Sequence, residues 1–186
     1  QWNGVTWQML GGQLQGELKE VLQAPNGDLL LFGWFLEVEG RAANNAARWN
    51  GTAWSPIGSG FNRPPTLAWE LGNGELVVAG DFFGLPDGQG GLGSRVARRH
   101  GGTWQAMGAG FDTSVNTLVE LPGGVIVVGG TFQNSGSVPC ARLATWNGSG
   151  WQPFAGGGAS GNVHALAMLP RSEEHTSELQ SPCNLV

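Results

Sequence analysis

Trp146-Asn147-Gly148-Ser149-Gly150-Trp151 sets a turn between two tryptophans, and the chain carries four versions of it. The others are Trp2-Asn3-Gly4-Val5-Thr6-Trp7, Trp49-Asn50-Gly51-Thr52-Ala53-Trp54 and, in altered form, Arg99-His100-Gly101-Gly102-Thr103-Trp104. The copies begin 47, 50 and 47 residues apart. A fixed period of this length marks a repeat architecture, in which one small unit recurs and neighbouring units cover each other's apolar faces.

Outward from the second tryptophan, each unit continues in the same order. Trp54-Ser55-Pro56-Ile57-Gly58-Ser59-Gly60-Phe61 matches Trp104-Gln105-Ala106-Met107-Gly108-Ala109-Gly110-Phe111. An apolar stretch follows, 115–121 in one unit and 163–169 in the next, and ends at Pro25-Asn26-Gly27, Gly72-Asn73-Gly74 or Pro122-Gly123-Gly124. Asn-Gly and Gly-Gly predict two-residue hairpins of the primed type, whose positive φ values suit the twist of paired strands. Continuous apolar runs come next, at 29–32, 76–79 and 125–128, each closed by Gly-x-Phe at Gly33 and Phe35, Gly80 and Phe82, or Gly130 and Phe132. A strand apolar at every residue has to be covered on both faces. A longer polar loop then leads to a third strand, at 46–49, 96–99 or 142–146, and the tryptophan turn completes the unit.

The class this predicts is all-β. With 33 glycines, 9 tryptophans and no tyrosine in 186 residues, the composition is that of many short strands joined by tight turns. Four antiparallel strands in 47–50 residues cannot bury two apolar faces alone, whereas sheets packed face to face around an axis can, which is the logic of a β-propeller. The expected organisation is a partial propeller over 1–170. Residues 1–14 end one blade, 15–60, 61–110 and 111–158 are full blades, and 161–170 opens another, giving an open arc.

Val127-Val128-Gly129-Gly130-Thr131-Phe132 followed by Leu143-Ala144-Thr145-Trp146-Asn147-Gly148-Ser149-Gly150-Trp151 resembles a kelch-type blade, with its glycine doublet and fourth-strand tryptophan. It is closer still to the Trp-Asn-Gly repeats of secreted bacterial kelch-like proteins and to the propeller of cortical polarity markers. The full Gly-Gly occurs once, with Phe32-Gly33 and Ala79-Gly80 in its place elsewhere. The resemblance implies an extracellular or cell-surface location. Residues 171–186 stand apart: Arg171 to Ser181 resembles the translation of a sequencing adapter, and the stretch is expected to be an artefactual tail and not a domain. Deleting it is expected to leave the melting temperature unchanged.

Several chemistries are weighed against these residues. Without the tail, 8 basic and 11 acidic residues remain, with Lys19 the one lysine. This balance gives no case for nucleic acid, and no stretch reaches the roughly 20 apolar residues that span a bilayer. A copper-radical oxidase of the galactose-oxidase type needs tyrosines the chain lacks. His100 and His164 fall in different units, and Cys140 is alone once Cys183 is set aside with the tail, so neither a metal site nor a disulfide is expected. Asp81 and Asp87 come nearest to a cation site but lack further acids. Glu20, Glu70 and Glu120 recur at equivalent places, which argues structure over a catalytic pair. Asn50-Gly51-Thr52 and Asn147-Gly148-Ser149 fit the N-glycosylation pattern, but their turn role already explains them.

No catalytic residue and no cofactor is therefore expected. In an up-and-down blade the Asn-Gly turns share one end, while the long connections 36–45, 83–95 and 133–140 gather at the other, with 62–64 and 112–114. Loops on a rigid scaffold are where binding concentrates. The expected function is a non-catalytic binding module for a protein or carbohydrate ligand. Its candidate site residues, expected to project clear of the core, are Arg41, Asn44, Asn45, Asp87, Gln89, Arg95, Gln133 and Asn134. Two alternatives stand beside it: an enzyme whose active residues lie in other blades or a fused domain, and a structural spacer.

Overall fold

A computed structural model describes residues 4–6, 11, 14–86 and 91–169. Among them there is no helix, and each full unit contributes the same six strands. The first unit gives β1 (Glu17–Gln23), β2 (Leu29–Trp34), β3 (Glu37–Val38), β4 (Arg41–Ala42), β5 (Ala46–Trp49) and β6 (Trp54–Pro56). The second gives β7 (Pro65–Glu70), β8 (Leu76–Gly80), β9 (Leu85–Pro86), β10 (Leu92–Gly93), β11 (Val96–His100) and β12 (Thr103–Ala106). The third gives β13 (Val115–Leu121), β14 (Val125–Gly130), β15 (Asn134–Ser135), β16 (Val138–Pro139), β17 (Leu143–Trp146) and β18 (Trp151–Pro153).

Three four-stranded antiparallel meanders result: β1-β2-β5-β6, β7-β8-β11-β12 and β13-β14-β17-β18. The loop between the second and third long strands, read from sequence only as long and polar, holds a two-stranded ribbon of its own in every unit: β3-β4, β9-β10 and β15-β16. We call these connections the ribbon loops.

The chain divides into two compact bodies, Gln1–Gly110 and Phe111–Val186. Within the first, Leu30, Phe32, Ala46 and Ile57 pack against Phe61, Ala68, Leu76, Val78, Phe82, Ala97 and Trp104 of the following sheet. Leu31, Ala47, Trp49 and Trp54 bury the other face with Phe35 and Val38. Leu30 and Leu31 point to opposite faces and both are buried, which is why the second strand is apolar at every residue. Within the second body, Ile126, Val127 and Val128 are likewise all buried, and Phe111 packs on Phe132 and Trp151 with ring centroids 4.1 and 5.0 Å apart.

The glycine of Gly-x-Phe has a geometric cause. The first strand of each sheet shifts register at one place, between Leu18 and Glu20, Pro65 and Leu67, or Val115 and Thr117. Gly33, Gly80 and Gly130 lie opposite that irregularity. A Cβ on Gly33 would stand 2.2 Å from the Glu17 carbonyl oxygen, and one on Gly130 2.1 Å from that of Ser114.

Two sequence readings need correction. The turns read as two-residue primed hairpins are longer: Gln23 pairs with Leu29 and Glu70 with Leu76 across five residues, and Leu121 with Val125 across three. The Asn-Gly turns between tryptophans are not of that type either. Trp49 pairs with Trp54 across four residues, and the Asn50 side-chain oxygen accepts from Thr52 N, Ala53 N and the Thr52 hydroxyl at 2.8–3.0 Å, with only Gly51 at positive φ. Asn147 does the same for Ser149 and Gly150. The two-residue turn forms in the altered copy, where His100 pairs with Thr103 around Gly101 and Gly102 at φ 57° and 84°. Asn50→Ala is accordingly expected to cost about 1 kcal/mol in urea unfolding, as loss of a side-chain cap does.

The second correction concerns 163–169, which forms no continuous strand. It is tied to the third sheet at isolated points instead: Val163 N donates to Gly130 O at 3.0 Å, Asn116 Nδ2 to Val163 O at 3.0 Å, and Leu166 N to Thr117 Oγ1 at 3.1 Å. The expected strands of 1–14 and the tail 171–186 fall mostly or wholly outside the described residues.

Candidate functional site

Each ribbon loop hangs from its sheet by the same backbone bonds. The residue before the third strand takes a left-handed conformation, Asn45 at φ 71°, Arg95 at 69° and Arg142 at 70°. Its carbonyl accepts from the glycine at or next to the end of the second strand: Gly33, Gly80 or Gly130, at 3.0–3.3 Å. In the first loop Asn45 N returns a bond to Phe35 O, and Ala43 N and Asn44 N both reach Leu36 O. Glu39 and Gly40, at φ 48° and 72°, turn the ribbon between β3 and β4.

This frame decides what the candidate residues do. Asn45, expected to project clear of the core, is only 3% exposed and donates from Nδ2 to Phe61 O at 2.8 Å, joining its own sheet to the start of the next repeat. Arg142 makes the same reach to Ala159 O at 3.0 Å. Asn44 is exposed, but its Nδ2 is engaged by Ser59 O at 3.0 Å. Arg95 lies 3.8 Å from Asp81 and holds the position equivalent to Asn45. Asn134 is half-buried and bonded to Asp112, while Gln133 and Arg41 are exposed. Asp87 and Gln89 lie outside the described residues. The first ribbon loop thus brings Arg41, Asn44 and Asn45 together, the second carries Arg95, and the third Gln133 and Asn134.

Asp112 was read only as part of a flanking loop, yet it organises the third ribbon. Its carboxylate accepts from Gln133 N, Asn134 N and Asn134 Nδ2 at 2.9–3.1 Å. Burial works to raise its pKa, but these donors outweigh it and hold the carboxyl below its ordinary 3.8. A depressed pKa stabilises the fold above the unfolded-state value, and that contribution is lost as pH falls through the folded-state value. Asp112→Ala is therefore expected to be about 1 kcal/mol less stable than the parent at neutral pH, since the site is solvent-screened, and the gap should close as pH drops below 3.8. A gap that is constant with pH would show that the carboxylate's charge plays no part.

Asn62, at the same place in the second repeat, holds Phe83 from both sides, donating to its carbonyl at 3.0 Å and accepting from its N–H at 3.2 Å. Gln15 occupies that position in the first repeat and makes no such clamp. It lines an open groove of about 710 Å³ together with Trp34, Leu36, Glu37, Glu39 and Asn45. That lies within the roughly 300–1,000 Å³ of small-ligand sites. Trp34 is 49% exposed and Leu36 69%. Sequence reasoning missed Trp34, because a period of two places it on the face of buried Phe32 and it reads as core.

Cys140 is buried, its thiol directed at Val138 O at 3.5 Å, and burial pushes its pKa up. In a Cys183→Ser variant, Ellman's reagent is expected to label no thiol until the protein is unfolded. Among the described residues no three His, Cys, Asp or Glu side chains are grouped to hold a metal ion. Compared with models of protein families, with characterised proteins and with solved structures, the chain finds no match in any of the three.

Proposed function

We propose that the repeated sheets are blades of a kelch-like β-propeller, and that the protein is a non-catalytic, secreted or cell-surface module that binds a protein or carbohydrate ligand on the ribbon-loop end of its blades. Two features support the propeller: sheets apolar on both faces, and the packing of consecutive sheets within the first body. The location follows from the kelch-type resemblance alone.

Binding at the ribbon loops is supported by a contrast between frame and surface. The left-handed residue, the bulge glycine and the inward phenylalanine recur in every repeat. The outward residues do not: Trp34, Asp81 and Thr131 share one position, and Leu36, Phe83 and Gln133 another. The groove beside Trp34 carries the reading, because it combines a half-exposed indole with polar groups that the frame leaves unused. The test is a screen of immobilised protein against glycans and extracellular proteins, repeated with Leu36→Ser, Arg41→Ala and Gln133→Ala. A hit lost in any of these at unchanged melting temperature supports the reading. Binding undiminished in all of them, and in variants of the groove, would remove the ribbon-loop end from the function.

A further inference from the structure

We propose that the groove of the first repeat receives a positively charged side chain, arginine or lysine, presented by a segment of a partner protein. The inference rests on the ribbon-loop end being the binding face, and it names the chemistry that face would recognise.

The groove offers an indole and an unusual surplus of acceptors. Trp34 stands where the other repeats hold Asp81 and Thr131, so the fold does not require an aromatic there. An exposed indole face attracts cations through its quadrupole, arginine more often than lysine. Glu37 and Glu39 share the groove with it. Among the described residues no basic side chain pairs with either; the ion pairs there use Glu17, Asp28, Asp81 and Glu75. Arg41, the nearest basic residue in sequence, pairs with Val38 across the ribbon and so shares the face of Val38, not that of Glu37.

Asn45 adds an independent sign. Its residue lines the groove yet is 97% removed from solvent, its amide nitrogen is engaged by Phe61 O, and its buried side-chain oxygen has no donor among the described residues. Buried acceptors are nearly always satisfied, so such an oxygen asks for a donor the chain does not supply. The carboxylates, the Asn45 oxygen and the Gln15 amide oxygen together can accept many hydrogen bonds. A guanidinium supplies five donors and an ammonium three, with no acceptor to be left over. A neutral sugar stacked on Trp34 would instead desolvate two carboxylates without balancing their charge, which is costly.

The test uses the full chain with Trp34 observed through its indole N–H resonance. A short arginine-rich peptide, the same peptide with citrulline in place of arginine, and a neutral oligosaccharide are the probes. The arginine peptide is expected to shift the Trp34 signal, the citrulline peptide is not, and binding should weaken steeply between about 50 and about 500 mM salt. Glu37→Gln combined with Glu39→Gln, and separately Trp34→Thr, which installs the third repeat's residue, should each weaken binding roughly tenfold at unchanged melting temperature. Equal shifts from the arginine and citrulline peptides, or affinity unchanged in the carboxamide variant, would overturn the cation assignment. A Trp34 shift from the oligosaccharide alone would overturn it while keeping the groove as a ligand site. No shift from any probe, beside a screening hit lost in Gln133→Ala, would overturn it while the wider binding face survives.

Discussion

Trp104→Ala is expected to destabilise the protein by about 3–5 kcal/mol, the range for truncating a packed aromatic. The side chain is 4% exposed, with its ring centroid 4.7 Å from that of Phe61 and 6.4 Å from that of Phe32. Phe32 belongs to the preceding sheet, so the indole fills space between two repeats. Its Nε1 also donates to Ile57 O at 3.0 Å, and removing it leaves that carbonyl with the Gly60 N–H alone, at 3.3 Å. Trp104→Phe should recover most of the packing and lose the hydrogen bond, leaving a deficit of about 1–2 kcal/mol. Urea unfolding of the three proteins measures both steps. A Trp104→Ala loss below about 1 kcal/mol would mean the contact between repeats does not hold the first body together.

Gly110→Ala comes second, at about 3 kcal/mol or more. The residue sits at φ 71°, where an L side chain already costs about 1–2 kcal/mol. Here space is also missing: a Cβ would lie 1.7 Å from Ser94 O, and Ser94 is the residue that pairs with Gly110 in an isolated bridge. One of the two backbones has to move, and displacement of packed backbone belongs to the mechanisms that produce the largest single-residue effects. Gly51→Ala is the control. It has a comparable φ of 93° with no atom within 4 Å of the added carbon, so it should cost only the conformational part, about 1–2 kcal/mol. Equal unfolding midpoints for the two variants would refute the role given to the Ser94 contact.

The long strands were legible because their signals are local. Leu29 to Phe32 is apolar at every residue, and no pairing information is needed to infer cover on two faces. Turn class was not legible, because Asn-Gly serves two ends. In Asn50-Gly51 the asparagine acts through its side-chain oxygen, a choice the backbone makes when two more residues are available before the strands pair. The four-residue spacing between the tryptophans encoded this, and the dipeptide alone did not.

The site was legible as a region and not as residues. Asn45 looks like any loop asparagine until Phe61, 16 residues on, is known to present its carbonyl to it. Polarity was read as exposure, whereas the polar atom was meeting a distant backbone group. Trp34 erred the other way, since alternation puts it on the face of buried Phe32, whereas at the strand's end it is half-exposed. Residues 163–169 show the limit of composition, because an apolar stretch becomes a strand only where a neighbour offers a free ladder of hydrogen bonds.

Asn45 of the first repeat reaches forward to Phe61 and Trp104 of the second reaches back to Ile57, so each side of that junction supplies one bond of its own, and Arg142 repeats the forward reach in the third repeat. For a gene, this means that a copied repeat brings along the half of the joint it carries. An array can lengthen by unequal crossing-over without waiting for new contacts to arise. The ribbon loops take no part in the Trp104 joint and touch the forward one only at their last two residues, Asn45 through its side chain and Asn44 through the carbonyl that accepts from Phe61 N, so mutation can change the rest of each loop separately after duplication. Trp34, Asp81 and Thr131 at one position in three neighbouring copies are what such a history would leave behind.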